Sequence, residues 1–150
     1  MANYLLPFLL TLLTVTQCQR DEVPPQETRL GEAFVLEQGE QLKLTSGETI
    51  LLELKVEEVS DSRCPEDVVC VWYGNAAVKL KVYGSSGRSQ SLSFCIGDCK
   101  PEPLRNKHTL TAEVNGQEYE ITLLDVLPFP NTEQQQDANK QVKLLVKKTD

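Results

Sequence analysis

A side-chain period of two runs through most of this 150-residue chain and restricts its fold more than any other feature of the sequence. It is clearest where Ile50, Leu52, Leu54 and Val56 alternate with Leu51, Glu53, Lys55 and Glu57. Successive side chains of a strand point to opposite faces, so such a segment buries one row and hydrates the other. The rhythm returns at Val78, Leu80 and Val82 against Lys79, Lys81 and Tyr83, and at Val142, Leu144 and Val146 against Lys143, Leu145 and Lys147. Asn115-Gly116 separates two more alternating runs and suits a type I′ hairpin turn, which needs positive φ at both central residues. Gln38-Gly39, Ser46-Gly47 and Gly84-Ser85-Ser86-Gly87 mark further turns. Together these signals predict an all-β fold, a single antiparallel β-sandwich of about eight strands, with a small β-barrel as the alternative. No segment has a convincing helical period. Residues 131–139, with three successive glutamines, read as a surface loop whose start is fixed by Pro128-Phe129-Pro130.

The first residues follow another logic. From Tyr4 to Val15 the chain is apolar and uncharged, which suits a secretory signal of about 7–15 residues and falls short of the about 20 that a spanning helix needs. A longer span would carry Gln17, Gln19 and Arg20 into hydrocarbon at high cost. Leu13-Thr14-Val15-Thr16-Gln17-Cys18 resembles a bacterial lipoprotein signal, in which the cysteine becomes the acylated N-terminus after cleavage. The resemblance implies a signal peptide over 1–17, lipidation at Cys18, the lipid bilayer as partner, and a place in the cell envelope at the outer membrane. The competing expectation is an ordinary cleaved signal on a secreted protein, with Cys18 left as a thiol or an intermolecular bridge. Residues 18–29, with Pro24-Pro25, read as an extended linker. The sandwich domain is expected over 30–150, long enough for one proper core.

The formal net charge of −7 is uneven, with 13 acidic and 5 basic residues from Arg20 to Asp67 and 9 and 10 from Val68 onward. Nucleic acid demands a basic surface, so the balance argues against such a partner. The acids Glu57, Glu58, Asp61, Glu66 and Asp67 lack the alternating ligand spacing of a calcium loop and read as solvated charge.

Four cysteines remain, Cys64, Cys70, Cys95 and Cys99, and they allow three disulfide connectivities. The local one pairs Cys64 with Cys70 and Cys95 with Cys99, and Pro65-Glu66-Asp67 and Gly97-Asp98 supply turn residues for it. The other two tie the loops together across the sheet. A short local loop contributes about 2 kcal/mol by the chain-entropy model, against about 3.5 for a closure of some thirty residues. Local bridges would thus stiffen loops more than hold the fold. Zinc would need free thiolates at tighter spacing, and an oxidising export route favours bridges, so no metal and no cofactor is expected.

Asp61-Ser62-Arg63-Cys64-Pro65, a second cysteine at Cys70, Trp72-Tyr73-Gly74 and a following strand resemble uncharacterised bacterial exported and lipoprotein domains. That resemblance implies architecture and carries no activity. Arg63, Trp72 and Tyr73 are the candidate binding residues, because Arg, Trp and Tyr are enriched at interaction hot spots. The stronger expectation for them is structural: the aromatics as core or a lid on it, and Arg63 paired with Asp61, Glu66 or Asp67. The single histidine, His108, starts an alternating run and reads as a satisfied sheet residue. With no G-x-S-x-G, H-E-x-x-H or phosphate loop, no catalytic residue is assigned and an enzyme is not expected. The sequence therefore points to an anchored envelope lipoprotein acting as a binding module toward a protein or glycan. A protease inhibitor offering the Cys64–Cys70 loop is the first alternative, since a rigid loop loses little entropy on binding. A small hydrolase using His108 is the second.

Overall fold

Eight strands form in the computed structural model, which describes residues 30–101, 104–133 and 139–149. They are β1 (Ala33–Glu37), β2 (Gln41–Ser46), β3 (Thr49–Asp61), β4 (Asn75–Tyr83), β5 (Ser89–Gly97), β6 (His108–Val114), β7 (Gln117–Leu127) and β8 (Gln141–Lys148). Two four-stranded antiparallel sheets result, ordered β1-β8-β7-β6 and β2-β3-β4-β5, and they face each other as a sandwich without closing into a barrel. No helix occurs among the described residues. The expected signal peptide, Cys18 and the linker lie outside the described residues.

The inward rows supply the core. Leu52, Leu54 and Val56 of β3, Val78, Leu80 and Val82 of β4, and Val142, Leu144 and Val146 of β8 are all buried. Phe94, Ile121 and Leu123 meet them from β5 and β7. Asn115 and Gly116 have φ of 54° and 77°, the doubly left-handed pair of a type I′ turn, so β6 returns directly into β7.

Three bulges break the period of two, and they decide what faces inward. Leu44 pairs Leu52 while Thr45 pairs Ile50, so Leu51 is an extra residue in β3. The alternation is reset there: Leu51 packs on the core and Ile50, expected inside, is exposed. Val56 pairs Leu80 and Glu58 pairs Lys79, leaving Glu57 as a second extra residue. Glu57 and Glu58 both face solvent, and the inward phase passes to Val59 and on to Asp61, whose side chain is fully buried. In β7 the register slips between Leu123 and Asp125, so Leu124 is the extra residue and Val126 takes the inward place that Asp125 would have had.

The connections sort to two poles. At one lie the β2–β3, β4–β5 and β6–β7 hairpins together with the start of the described chain, where Gly31 N–H bonds the Val146 carbonyl at 2.8 Å. Ser85 Oγ and Asn115 Oδ1 are 3.0 Å apart across two of these hairpins. At the other lie the β3–β4, β5–β6 and β7–β8 connections, which include both cysteine pairs.

If Glu57 is the extra residue of the bulge, neither its side chain nor its place in the chain is needed to keep Val59 and Asp61 inward. Glu57→Ala removes only a surface pair with Lys81 at 3.7 Å and is expected to change stability by less than about 1 kcal/mol. Deleting Glu57 removes the extra residue and leaves Val59 and Asp61 opposite Val78 and Ala76 on the inward face, so it too is expected to cost no more than about 1 kcal/mol. Thermal melts of the two variants check this, and a deletion variant less stable than the alanine variant by about 3 kcal/mol or more would refute it.

Candidate functional site at the disulfide pole

The pole is built on Arg63, which leaves β3 two residues after Asp61. Its Nε and Nη2 donate to the two Asp61 carboxylate oxygens, each at 2.9 Å, a bidentate fork. Nη1 donates to Asp125 Oδ1 at 3.1 Å, and Nη2 also donates to the Val126 carbonyl. The guanidinium carbon lies 4.2 Å from the centre of the Phe129 ring, stacked on its face. Lys140 completes the cluster, donating to Asp61 Oδ2 at 3.2 Å and to the Pro128 carbonyl at 3.1 Å. Burial pushes the Asp61 carboxyl up, but the hydrogen bonds and charge of Arg63, with the bond from Lys140, outweigh it and hold the group below its ordinary value. The same balance holds Arg63 firmly charged. Of the three partners expected for Arg63, Asp61 is the one found. Arg63 therefore works inside the fold, with 8 % of its side chain exposed, and does not form a surface hot spot of its own.

Around this knot both loops are closed locally. Cys64 pairs with Cys70 and Cys95 with Cys99, with Cα separations of 5.9 and 6.0 Å. The first loop is docked on the segment after β7: Glu66 N–H bonds the Pro130 carbonyl at 3.0 Å, and Asp67 accepts the N–H and hydroxyl of Thr132. Cys64 N–H bonds the Tyr73 carbonyl at 2.7 Å. The second loop is tied to the first through Gly74, whose carbonyl accepts Asp98 N–H at 2.8 Å. Gly74 has φ of 67°, and a Cβ there would sit 1.9 Å from the Ser62 carbonyl oxygen, so only glycine allows the backbones to approach this closely.

On this frame the side chains of one stretch are turned out. Val69 and Val71 are fully exposed, Trp72 is 71 % exposed and Tyr73 69 %. The aromatics are therefore neither core nor a lid on it, contrary to the stronger expectation, because the closed loop ends before them and Gly74 returns the chain to β4 at once. Trp72 borders an open groove of about 690 Å³ with Ser62, Asn75, Asp98, Arg105 and His108. Tyr73 borders a more apolar one of about 430 Å³, with Leu104, Leu124 and Phe129 above Arg63 and Asp125. Leu104 and Phe129 are functional candidates that the sequence did not single out; each lies next to prolines in a loop, with no period to mark it.

His108 lines the first groove, yet its chemistry is committed to the fold. Its Nδ1 accepts Cys95 N–H at 3.1 Å and its ring meets Phe94 edge-on, with centroids 5.7 Å apart. In a neutral ring that places the proton on Nε2 and uses the basic lone pair, so His108 offers no free base to the groove. Ser62 Oγ is likewise engaged, donating to the Asn75 carbonyl at 3.0 Å. The acids read as solvated charge are dispersed, Glu58 pairing with Lys79, Glu57 with Lys81 and Asp67 with Thr132, while Asp61, contrary to that expectation, is buried against Arg63. Among the described residues no three His, Cys, Asp or Glu side chains gather as a metal site. Compared with known proteins, the chain matches no family model, no curated protein and no solved structure at a significant level.

Asp61→Asn should leave the buried guanidinium undercompensated and cost about 3 kcal/mol, roughly a ten-degree drop in Tm for a domain of this size. The folded Asp61 pKa is lowered, so its contribution is complete above the unfolded value near 4 and fades as pH falls through the lower folded value. The gap in Tm between wild type and Asp61→Asn should be constant above about pH 5 and shrink below about pH 4. A gap that widens on acidification would contradict the assignment.

Proposed function

We propose that the protein is an envelope lipoprotein, anchored in the bilayer through acylated Cys18, and that its domain is a non-enzymatic binding module for a protein or glycan. The observation that carries this reading is the exposure of Val69, Val71, Trp72 and Tyr73 on a loop that a disulfide and a buried ion pair hold rigid. Apolar side chains that the fold leaves in water, gathered on a stiff frame, are the usual mark of a recognition surface. Arrangement along the molecule supports the same reading. The described chain begins at the hairpin pole, opposite the cysteine loops, so a tether attached there leaves the loops facing away from their anchor. Two acyl chains, at about 0.8 kcal/mol per buried methylene, make such attachment durable.

One feature favours a second reading, protease inhibition. Val69 inside the Cys64–Cys70 closure and Val71 just after it stand free in solvent, and Asp67, Glu66 and Cys64 pin the closure to the body, as an inhibitory loop requires. Assays against envelope and host proteases at micromolar protein decide it, and absence of inhibition removes it.

For the leading reading, Trp72→Ala is expected to leave Tm within about two degrees, since it removes no buried contact, while weakening partner capture at least tenfold. The comparison is a pull-down from envelope extracts with wild-type and variant domains tethered through residue 18. A variant that retains the same partners, or that unfolds, counts against recognition by this loop. Mass analysis of the N-terminal peptide tests the anchor separately: a Cys18 without acyl chains ends the localisation proposal.

A further inference from the structure

Each sheet leaves two edges, and the edge of β5 differs from the other three. In an antiparallel pair, residues alternate between bonding the neighbouring strand and pointing both main-chain groups outward. Gly84 N–H bonds the Arg88 carbonyl at 3.1 Å at the head of the β4–β5 hairpin, which places the even-numbered residues of β5 in the ladder with β4. At the far end, Cys95 N–H turns outward to His108 Nδ1, and Gly97 exchanges bonds of 2.7 and 3.2 Å with Arg105. The odd residues therefore face away from β4. Cys95 and Gly97 are capped; Ser89, Ser91 and Ser93 offer their N–H and carbonyl groups to the outside.

Natural sheets guard such edges with charge, bulges or very short strands. Here β1 has five residues and Glu37, β2 carries Lys43 and ends against the bulged part of β3, and β6 carries Glu113. By contrast β5 runs nine residues, Ser-Gln-Ser-Leu-Ser-Phe-Cys-Ile-Gly, without a charge and without a register shift.

We propose that this edge is a self-association surface, on which a second copy of the chain pairs β5 to β5 about a two-fold axis at Ser91. Ser91 then opposes its own counterpart and Ser89 opposes Ser93, giving about six main-chain hydrogen bonds. The choice of occupant follows from charge. A row of hydroxyls offers nothing to a charged peptide, whereas the second copy presents the same neutral row. Within the paired sheet the nearest like charges, Arg88 of one copy and Lys79 of the other, would lie about two strand spacings or 10 Å apart, beyond the screening length of about 8 Å, and Lys79 already pairs with Glu58 at 2.5 Å. His108 and Arg105 block any slide toward Gly97, so the register is defined.

The test is sedimentation equilibrium of the purified protein from about 10 μM to about 1 mM, the range of a small interface. Wild type should show a dimer fraction that rises with concentration. Ser91→Pro should abolish it at unchanged Tm, because the N–H it removes makes no bond among the described residues. Should that variant not fold, Ser93→Lys, an exposed substitution that guards the edge with charge, carries the same expectation. Ser91→Cys should cross-link two copies on oxidation, since directly paired Cα atoms lie about 5.5 Å apart, while Ser85→Cys in the hairpin should not. A protein that stays monomeric throughout, or a dimer that survives both edge variants, overturns the proposal.

Discussion

A guanidinium withdrawn from water organises the whole disulfide pole. Removing it and its carboxylate from solvent costs several kcal/mol for each ion, and the cost is recovered only when the donors find partners in good geometry. Arg63 meets that demand with the Asp61 fork, Asp125 and the Val126 carbonyl, while its flat face lies on Phe129. These contacts join the end of β3 to the end of β7 and to the segment that leads toward β8. Everything exposed at the pole is attached to that junction: the Cys64–Cys70 loop follows Arg63 directly, and the opposing loop hangs on Gly74.

The knot in turn depends on two bulges, each of which absorbs one extra residue. Were Glu57 paired without a bulge the carboxylate of Asp61 would face solvent, and were Leu124 so paired the inward row of β7 would run into Asp125. Each bulge bends its strand and shifts the phase by one, so a polar pair is delivered to the rim of an otherwise apolar interior. The centre of the sandwich needs no such device. Its rows of Leu, Val and Ile are interchangeable in kind, and burial alone holds them.

That contrast explains how much of the molecule was legible in the sequence. The rows at Val78–Val82 and Val142–Val146, the Asn115-Gly116 turn and the two-sheet architecture were, because each follows from side-chain period or local φ preference. Bulges were not, since the partner strand decides where an unpaired residue falls, and so Ile50 was placed inside and Leu51 outside. Asp61 and Arg63 did carry a signal: two residues apart in extended chain, they share a side, and Asp61 was among the partners named for Arg63. Trp72 and Tyr73 were placed on the core because composition favours it. Their exposure is set by the Gly74 turn and by docking of Asp67 on Thr132, sixty-five residues away, which no local pattern encodes.

Anchoring and β5 pairing, both proposals, constrain each other through geometry. Antiparallel pairing about Ser91 inverts one copy, so its hairpin pole lies beside the other's disulfide pole. A tether of twelve residues, 18–29, spans at most about 40 Å, while the nine residues of β4 extend about 30 Å. The tether therefore outreaches the strands, and two paired copies held on one membrane can either stand upright, with the cysteine loops of one copy turned toward the bilayer, or lie with their strands along the surface. A single copy can stand upright with its loops outermost. In either arrangement pairing would withdraw at least one set of cysteine loops from the outermost place it holds in a single copy, and the linker is long enough for both.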